Sequence, residues 1–113
     1  MTIQRIQPGP RMSQAVVHGD TVYLAGQVAE GASVAEQSRA ALAQVDALLA
    51  SVGSDKSKLL SVTIYLADIA TFPEMNSVWD TWVDAANPPA RATVEAKLAT
   101  PDYFVEFAAI AAR

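Results

Sequence analysis

The stretch at 103–112, YFVEFAAIAA, is the feature of this sequence that most constrains the fold. Read as a β-strand, it places apolar side chains on both faces of a sheet, because successive side chains point in opposite directions. One face carries Tyr103, Val105, Phe107 and Ala109, and the other carries Phe104, Ala108 and Ile110. Both faces of such a strand need to be covered, and its one charged residue, Glu106, then needs a partner or a role.

The first of two helical patterns lies in the N-terminal half of the chain. Apolar residues recur at steps of three and four from Ser38 to Val52, which predicts an amphipathic helix. Ser33 and Glu36 form a capping box before this pattern, and Gly53 follows it as the left-handed residue that ends many helices.

A second helix is predicted to open at Thr71, which pairs with Glu74 in another capping box and is followed by a proline in the first turn. Trp79 and Trp82 lie on its apolar side, and their spacing fits a packed helix face better than a platform that stacks on a ligand. The Asn-Pro-Pro run at 87–89 ends this helix.

Segments rich in β-branched and apolar residues flank the helices and predict strands. They lie at 13–17, 21–28, 60–66, 90–98 and 103–112, with a further short strand at 4–6. Strand-helix-strand units cross over right-handedly, which places both helices on one face of a single mixed sheet. The sequence therefore predicts one α+β domain spanning 1–113, with a bare apolar sheet face through which copies associate sheet to sheet.

Composition argues against several classes of function. Twelve acidic against eight basic residues give a net charge of −4 without a basic patch, so nucleic acid is not an expected partner. The chain has no cysteine and one histidine, His18, so neither a metal site nor a thiol nucleophile is expected. No targeting or membrane-spanning segment is recognisable, so we expect a cytoplasmic location without membrane attachment.

Two charged residues are candidates for chemistry. Arg91 begins the polar row of the strand at 90–98, where its planar guanidinium suits recognition of a carboxylate or a phosphate. Glu106 is a carboxylate in an apolar strand, and such a group is costly to bury without a partner. Structural alternatives are open for both: a rim salt bridge for Arg91, and for Glu106 either an ion pair with Arg91 or Lys97 on a neighbouring strand or simple exposure to solvent.

The segments TVYLAGQVA, FPEMNSVWDTWV and PPARATVEAKLATPDYFVEFAAIAA, together with the first helix, make the chain similar to the Rid family of reactive-intermediate deaminases, also called the YjgF or L-PSP family. The likeness covers nearly the whole chain, and its most specific part is the motif PARxxVExxxL followed by a terminal strand with Val-Glu. It implies a chorismate-mutase-like α+β fold and a homotrimer whose sheets face one another as a central barrel, with the helices outside.

The same resemblance implies an activity. Members of the family hydrolyse enamine or imine intermediates, typically 2-imino acids such as 2-iminopropanoate, to 2-keto acids and ammonia in clefts between subunits, without a cofactor or metal. Arg91 matches the arginine that binds the substrate carboxylate, and Glu106 matches the acid that orients or activates the attacking water. Gly26 matches a backbone amide donor near the ligand, and Asn76 matches an asparagine close to the site.

The chain also departs from the family pattern around the pocket. Ala25 stands where many deaminases have serine and Thr93 where they have cysteine, and both are predicted substrate-binding positions. Arg11 and Met12 occupy the region of a pocket tyrosine, where Arg11 offers a second cation. With these changes, binding or sensing of a small keto or amino acid without turnover is an alternative function. The endoribonuclease or translation-inhibitor activity attributed to some relatives is a weaker one, because the chain is acidic.

Overall fold

The computed structural model describes residues 1–113 as a six-stranded sheet with two helices. The elements, in chain order, are β1 (Ile3–Ile6), β2 (Ala15–His18), β3 (Thr21–Leu24), α1 (Val34–Ser51), β4 (Leu59–Leu66), α2 (Phe72–Trp82), β5 (Ala90–Glu95) and β6 (Val105–Ala112). Short 3-10 turns lead into β4 and α2. The element order is the one that the sequence predicts, including the short first strand. Neither helix has the length and apolar character needed to cross a membrane.

The strands are arranged in the order β1-β2-β3-β6-β4-β5. Neighbouring strands are antiparallel except β4 and β5, which are parallel and are connected through α2. Because β3 and β4 are both antiparallel to β6, they run parallel to each other, with α1 between them in the chain. Each helix is therefore the crossover of a strand-helix-strand unit, as the alternation of helical and strand patterns predicts.

The hydrophobic core lies between the two helices and one face of the sheet, here called the helix face. Side chains of β4 and β6 that point to it are almost completely buried: Val62, Ile64, Leu66, Val105, Phe107, Ala109 and Ala111. The other face of the sheet, here called the open face, has no helix over it. From β4 and β6 it carries Ser61, Thr63, Tyr65, Glu106, Ala108 and Ile110. The prediction that the last strand is apolar on both faces is confirmed.

The predicted capping residues of α1 are confirmed, although Glu36 reaches the residue before the cap and not the N–H of Ser33 itself. The Ser33 hydroxyl accepts a hydrogen bond from the Glu36 N–H at 3.1 Å, and the Glu36 carboxylate accepts one from the Ala32 N–H at 3.0 Å. Gly53 has a φ of +77°, which glycine adopts without a steric penalty.

The predicted capping box of α2 is wrong. The Thr71 side chain makes no capping hydrogen bond, and its hydroxyl donates instead to the Asp68 carbonyl at 2.6 Å. The Glu74 carboxylate accepts a hydrogen bond from the Ala35 N–H, in the first turn of α1, at 2.9 Å. A tertiary contact has replaced the local one, because the two helices begin side by side and an N–H of α1 lacks an acceptor in its own helix.

Four strands are shorter than predicted. Those predicted at 13–17 and 103–112 begin at Ala15 and Val105, each two residues late. The segment predicted as a strand at 21–28 ends as a strand at Leu24 and returns to the sheet only at Gln27, which exchanges backbone hydrogen bonds with Phe107 at 2.8 and 3.0 Å. The segment predicted at 90–98 ends at Glu95, although the Ala96 N–H still donates to the Leu66 carbonyl at 2.9 Å. Apolar alternation continues beyond both points, so the pattern alone overestimates their length.

Candidate functional site

Arg91 lies near the start of β5, on the helix face of the sheet. Its register partner on β4 is Val62, whose side chain is buried beneath the helices, so Arg91 points toward α2. One terminal nitrogen of its guanidinium donates a hydrogen bond to the Asn76 Oδ1 at 2.8 Å. Two of the predicted site residues are therefore in direct contact, and the polar row of this edge strand faces the helices.

Aromatic rings of α2 surround the same guanidinium. The Arg91 Cζ atom lies 5.6 Å from the centre of the Phe72 ring and 5.2 Å from the centre of the Trp79 ring, over the face of each. These distances are within the range of cation–π attraction. Arg91 itself is exposed, and its one hydrogen bond within the chain is to Asn76, so the rest of its planar fork is available to a ligand.

Thr93 lies two residues along β5 from Arg91, at the free edge of the sheet. The Thr93 Oγ1 is buried without a hydrogen-bond partner, so a ligand arriving from solvent does not meet the hydroxyl. The backbone N–H of Thr93, in contrast to its hydroxyl, is accessible. The Ala96 N–H points toward β4, and N–H directions alternate along a strand, so the N–H of Thr93 points away from the sheet. Thr93 thus offers a backbone donor at the same edge as the guanidinium.

Glu106 lies on the open face and packs against Gly26. A Cβ built onto Gly26 would be 2.8 Å from the Glu106 Cδ and would overlap one carboxylate oxygen. Only glycine leaves room for the carboxylate in this position. On the other side of β6, Tyr65 is the direct register partner of Glu106 on β4 and lies on the same face.

The backbone around Gly26 is fixed on both sides. The Ala25 N–H donates to the Gln14 carbonyl at 2.9 Å, and the Gln27 N–H donates to the Phe107 carbonyl at 2.8 Å. The Gly26 N–H between them has no backbone acceptor. Gly26 therefore combines a free backbone donor with space for the Glu106 carboxylate, and Ala25 holds the segment through its main chain.

The chain does not bring the Arg91–Asn76 pair and the Gly26–Glu106 pair together. They lie on opposite faces of the sheet, and β4 separates β5 from β6. An ion pair between Glu106 and Arg91 or Lys97 on a neighbouring strand, the structural alternative considered above, is therefore excluded within one chain. None of the five surface cavities of the chain is lined by either pair.

Arg11 and Met12 lie in the connection between β1 and β2. Both are exposed, and they line a surface cavity of about 470 Å³ together with Gln7 and Gln14. None of the other predicted site residues lines this cavity. A contribution of Arg11 to the proposed pocket stays a prediction.

Comparison with known proteins places these features in a family. The family model described as endoribonuclease L-PSP matches residues 2–113. The chain belongs to the L-PSP family. A RutC family protein of Haemophilus influenzae is 47% identical to it over 98% of each chain. The crystal structure of a YjgF family protein from Neisseria meningitidis superposes with a TM-score of 0.98 at 45% identity, covering 100% of this chain and 96% of the other.

One more distant relative has a name that states a reaction. It is a rat protein named 2-iminobutanoate/2-iminopropanoate deaminase, 32% identical over 88% of this chain and 77% of its own length. The resemblance found from the sequence motifs and the mixed α+β fold are both confirmed by these comparisons.

The sequence of this L-PSP chain did not identify three neighbours of the site, namely Phe72, Trp79 and Tyr65. Phe72, Asn76 and Trp79 are spaced four and three apart, so they share one face of α2. This spacing indicates that the three side chains lie together, but a helix face that only packs against the core has the same spacing. Tyr65 could have been found by pairing strands, because it becomes a neighbour of Glu106 only through the β4–β6 register.

Proposed function

We propose that the chain hydrolyses 2-imino acids to 2-keto acids and ammonia in clefts between copies of itself, arranged as a homotrimer. The observation that carries the proposal is the division of the chain into two complementary halves. One half, Arg91 with Asn76, offers a cationic fork, and the other, Glu106 with Gly26, offers a carboxylate beside a free backbone N–H. The name of the rat relative supports the reaction chosen.

The first half binds the substrate carboxylate. A guanidinium presents parallel N–H donors that match the two oxygens of a carboxylate, and Asn76 holds one end of the fork. The outward N–H of Thr93 adds a donor at the same edge. A 2-imino acid carries its carboxylate next to the reacting carbon, so fixing the carboxylate also fixes the position of that carbon.

The second half supplies the base. Glu106 takes a proton from a water molecule as the water oxygen bonds to the imine carbon, and the Gly26 N–H orients the reacting groups. The imine nitrogen receives this proton, which gives a neutral tetrahedral carbinolamine. Glu106 then transfers the carbinolamine hydroxyl proton to the nitrogen as the C–N bond breaks and the C=O bond forms, so that ammonia leaves. The net reaction is one imine and one water to one ketone and one ammonia, so no redox partner is needed.

The uncovered open face of the sheet supports the same proposal. That face carries small and apolar side chains on β6, and nothing in the chain covers it. In the proposed trimer, the open faces dock at an angle such that the β5 edge of one copy reaches the Glu106 of the next. Each cleft then takes Arg91 from one subunit and Glu106 from its neighbour.

The direct test is the decay of imines generated in situ by an amino-acid oxidase, measured for wild type, Arg91→Ala and Glu106→Gln. We expect both substitutions to lower kcat/KM by at least about a hundredfold, since each removes one half of the site. Unchanged decay in either variant would refute the assignment of that residue. Binding of a keto acid without any acceleration of decay in wild type would instead support the non-catalytic alternative.

Mixing the two inactive variants tests the shared cleft. When Arg91→Ala and Glu106→Gln subunits are unfolded and refolded together at equal concentration, about a quarter of the clefts receive both intact residues if neighbours assemble at random. Activity should therefore return to about that fraction of wild type. If both residues acted within one chain, the mixture would stay inactive, because no single subunit carries the intact pair.

A further inference from the structure

The guanidinium of Arg91 is positioned by two kinds of contact from a single helix face. Asn76 fixes one terminal nitrogen through a hydrogen bond of 2.8 Å, and the rings of Phe72 and Trp79 lie 5.6 and 5.2 Å from the Cζ atom. The hydrogen bond fixes one corner of the planar group. The rings limit the rotation that a single hydrogen bond would still allow.

The two rings differ in how firmly they are held. Trp79 is buried, stacks on Phe107 at a centroid distance of 6.4 Å with 6° between the ring planes, and packs against Trp82 at 5.4 Å. Phe72 is the first residue of α2 and is only half-buried at the edge of the core. The Trp79 ring is therefore part of the packed core, whereas the Phe72 ring lies at its edge and can be substituted without creating a cavity in the core.

We propose that Phe72 and Trp79 are positioning residues whose aromatic faces hold Arg91 in the orientation that receives the substrate carboxylate. This inference rests on the proposed function of Arg91. A guanidinium held over ring faces binds a carboxylate along its exposed edge, where the parallel N–H groups point. The rings act through electrostatic attraction between the cation and the ring quadrupole, so the effect depends on the electron density of the ring and not only on its shape.

Progressive fluorination of Phe72 separates electrostatic positioning from packing. Monofluoro-, trifluoro- and pentafluorophenylalanine introduced at this position keep the ring while they remove its negative face step by step. We expect KM for the imino acid to rise stepwise, by about two- to fivefold at full fluorination, with kcat little changed. Phe72→Tyr, which keeps an electron-rich ring, should retain the wild-type KM.

Phe104 provides the matched control. It is also half-buried against the same core, but the rings that lie near the Arg91 guanidinium are those of Phe72 and Trp79. The same fluorinated series at Phe104 should leave KM unchanged. An equal KM across the Phe72 series, or a rise in KM that the Phe104 series reproduces, would overturn the proposal.

A second measurement does not require activity. The ¹⁵Nε resonance of Arg91 and its rotation about the Nε–Cζ bond report how firmly the guanidinium is held. Pentafluorophenylalanine at position 72 should speed this rotation and shift the resonance, whereas the Phe104 series should not. If the wild type were inactive but this response were present, the proposed function would fail and the positioning role would stand; no response would overturn the positioning role alone.

Discussion

Arg91 and Glu106 lie on opposite faces of one sheet, Arg91 level with Val62 on the helix face and Glu106 level with Tyr65 on the open face. Strand β4 stands between them, so no side-chain rotation brings the two charges together in one copy. In the proposed assembly each chain therefore serves two clefts, giving its arginine to one neighbour and its glutamate to the other. A substitution of Arg91 in one chain therefore leaves the Glu106 of that chain able to serve the other cleft.

Gly26→Ala is expected to slow the proposed imine hydrolysis without unfolding the protein. The added methyl group would stand 2.8 Å from the Glu106 Cδ and 3.1 Å from its Cγ, so the carboxylate must move aside. The backbone of Gly26 does not lie in the left-handed region, so alanine itself is tolerated. We expect the rate of imine hydrolysis to fall by about ten- to a hundredfold, because displacement by about 1 Å spoils the alignment of base and water.

Gly9→Ala is the control for this substitution. A Cβ at Gly9 would have the Met12 carbonyl oxygen at 3.6 Å as its nearest neighbour, an ordinary contact. Its activity should match wild type. A fully active Gly26→Ala protein would show that the position of Glu106 seen here is irrelevant to turnover.

Ala108→Asp is expected to prevent assembly. Ala108 is half-buried on β6 opposite Thr63, in the middle of the open face, so a carboxylate there would be buried without a partner between copies. Light scattering after size-exclusion chromatography should show the monomer mass and imine hydrolysis should be lost. Ala43→Asp, on an exposed position of α1, should leave the assembly intact. A trimer that persists in Ala108→Asp would argue against association through the open face.

Gln37→Leu is expected to lower the free energy of unfolding by roughly 3 kcal/mol or more, because buried backbone groups lose their partners. The Gln37 amide is fully buried, donates to the carbonyls of Gly31 and Asp102 at 3.1 and 2.8 Å, and accepts from the Phe104 N–H at 2.8 Å. Urea denaturation measures the loss. Gln44→Leu, on the exposed side of α1, should change stability little.

Asp55 is expected to titrate at a lower pH than an ordinary aspartate because of its hydrogen bonds with Ser57. Hydrogen bonds from the Ser57 hydroxyl and from the Ser57 N–H, the latter 2.8 Å long, lower the pKa of Asp55 below its ordinary value of 3.8. Because the pKa is lower in the folded state, the ionised carboxylate stabilises the fold at any pH above the pKa of the unfolded state. This stabilisation is lost as the pH falls through the pKa of the folded state. NMR titration should show the Asp55 pKa rising in Ser57→Ala. An unchanged pKa would show that the hydroxyl is not its cause.

Much of the fold follows from local pattern. The step of three and four residues in α1, the alternation in β4 and the turn residue Gly53 each act within a few residues, so the sequence alone predicts them. Glu106 could also be assigned to the face opposite Phe107 by counting alternate residues. The resemblance to a family, carried by the motif around Arg91, added the identity of the candidate site.

Contacts between distant segments could not be predicted in this way. Thr71 and Glu74 have the spacing of a capping box, yet Glu74 binds the Ala35 N–H, 39 residues away in the chain. Likewise, nothing local indicates that the ring of Trp79 meets Arg91, because that contact depends on the angle at which α2 crosses β5. Such contacts are decided by packing after the elements form.

The central place of β6 in the sheet has a consequence for biosynthesis. Strands β1, β2 and β3 form one antiparallel ribbon, β4 and β5 form a parallel pair, and only β6 connects them. On the ribosome, the edges of β3 and β4 that will pair with β6 stay unpaired until residues 105–112 have left the exit tunnel. The two parts of the sheet are therefore joined only after the final strand has been synthesised.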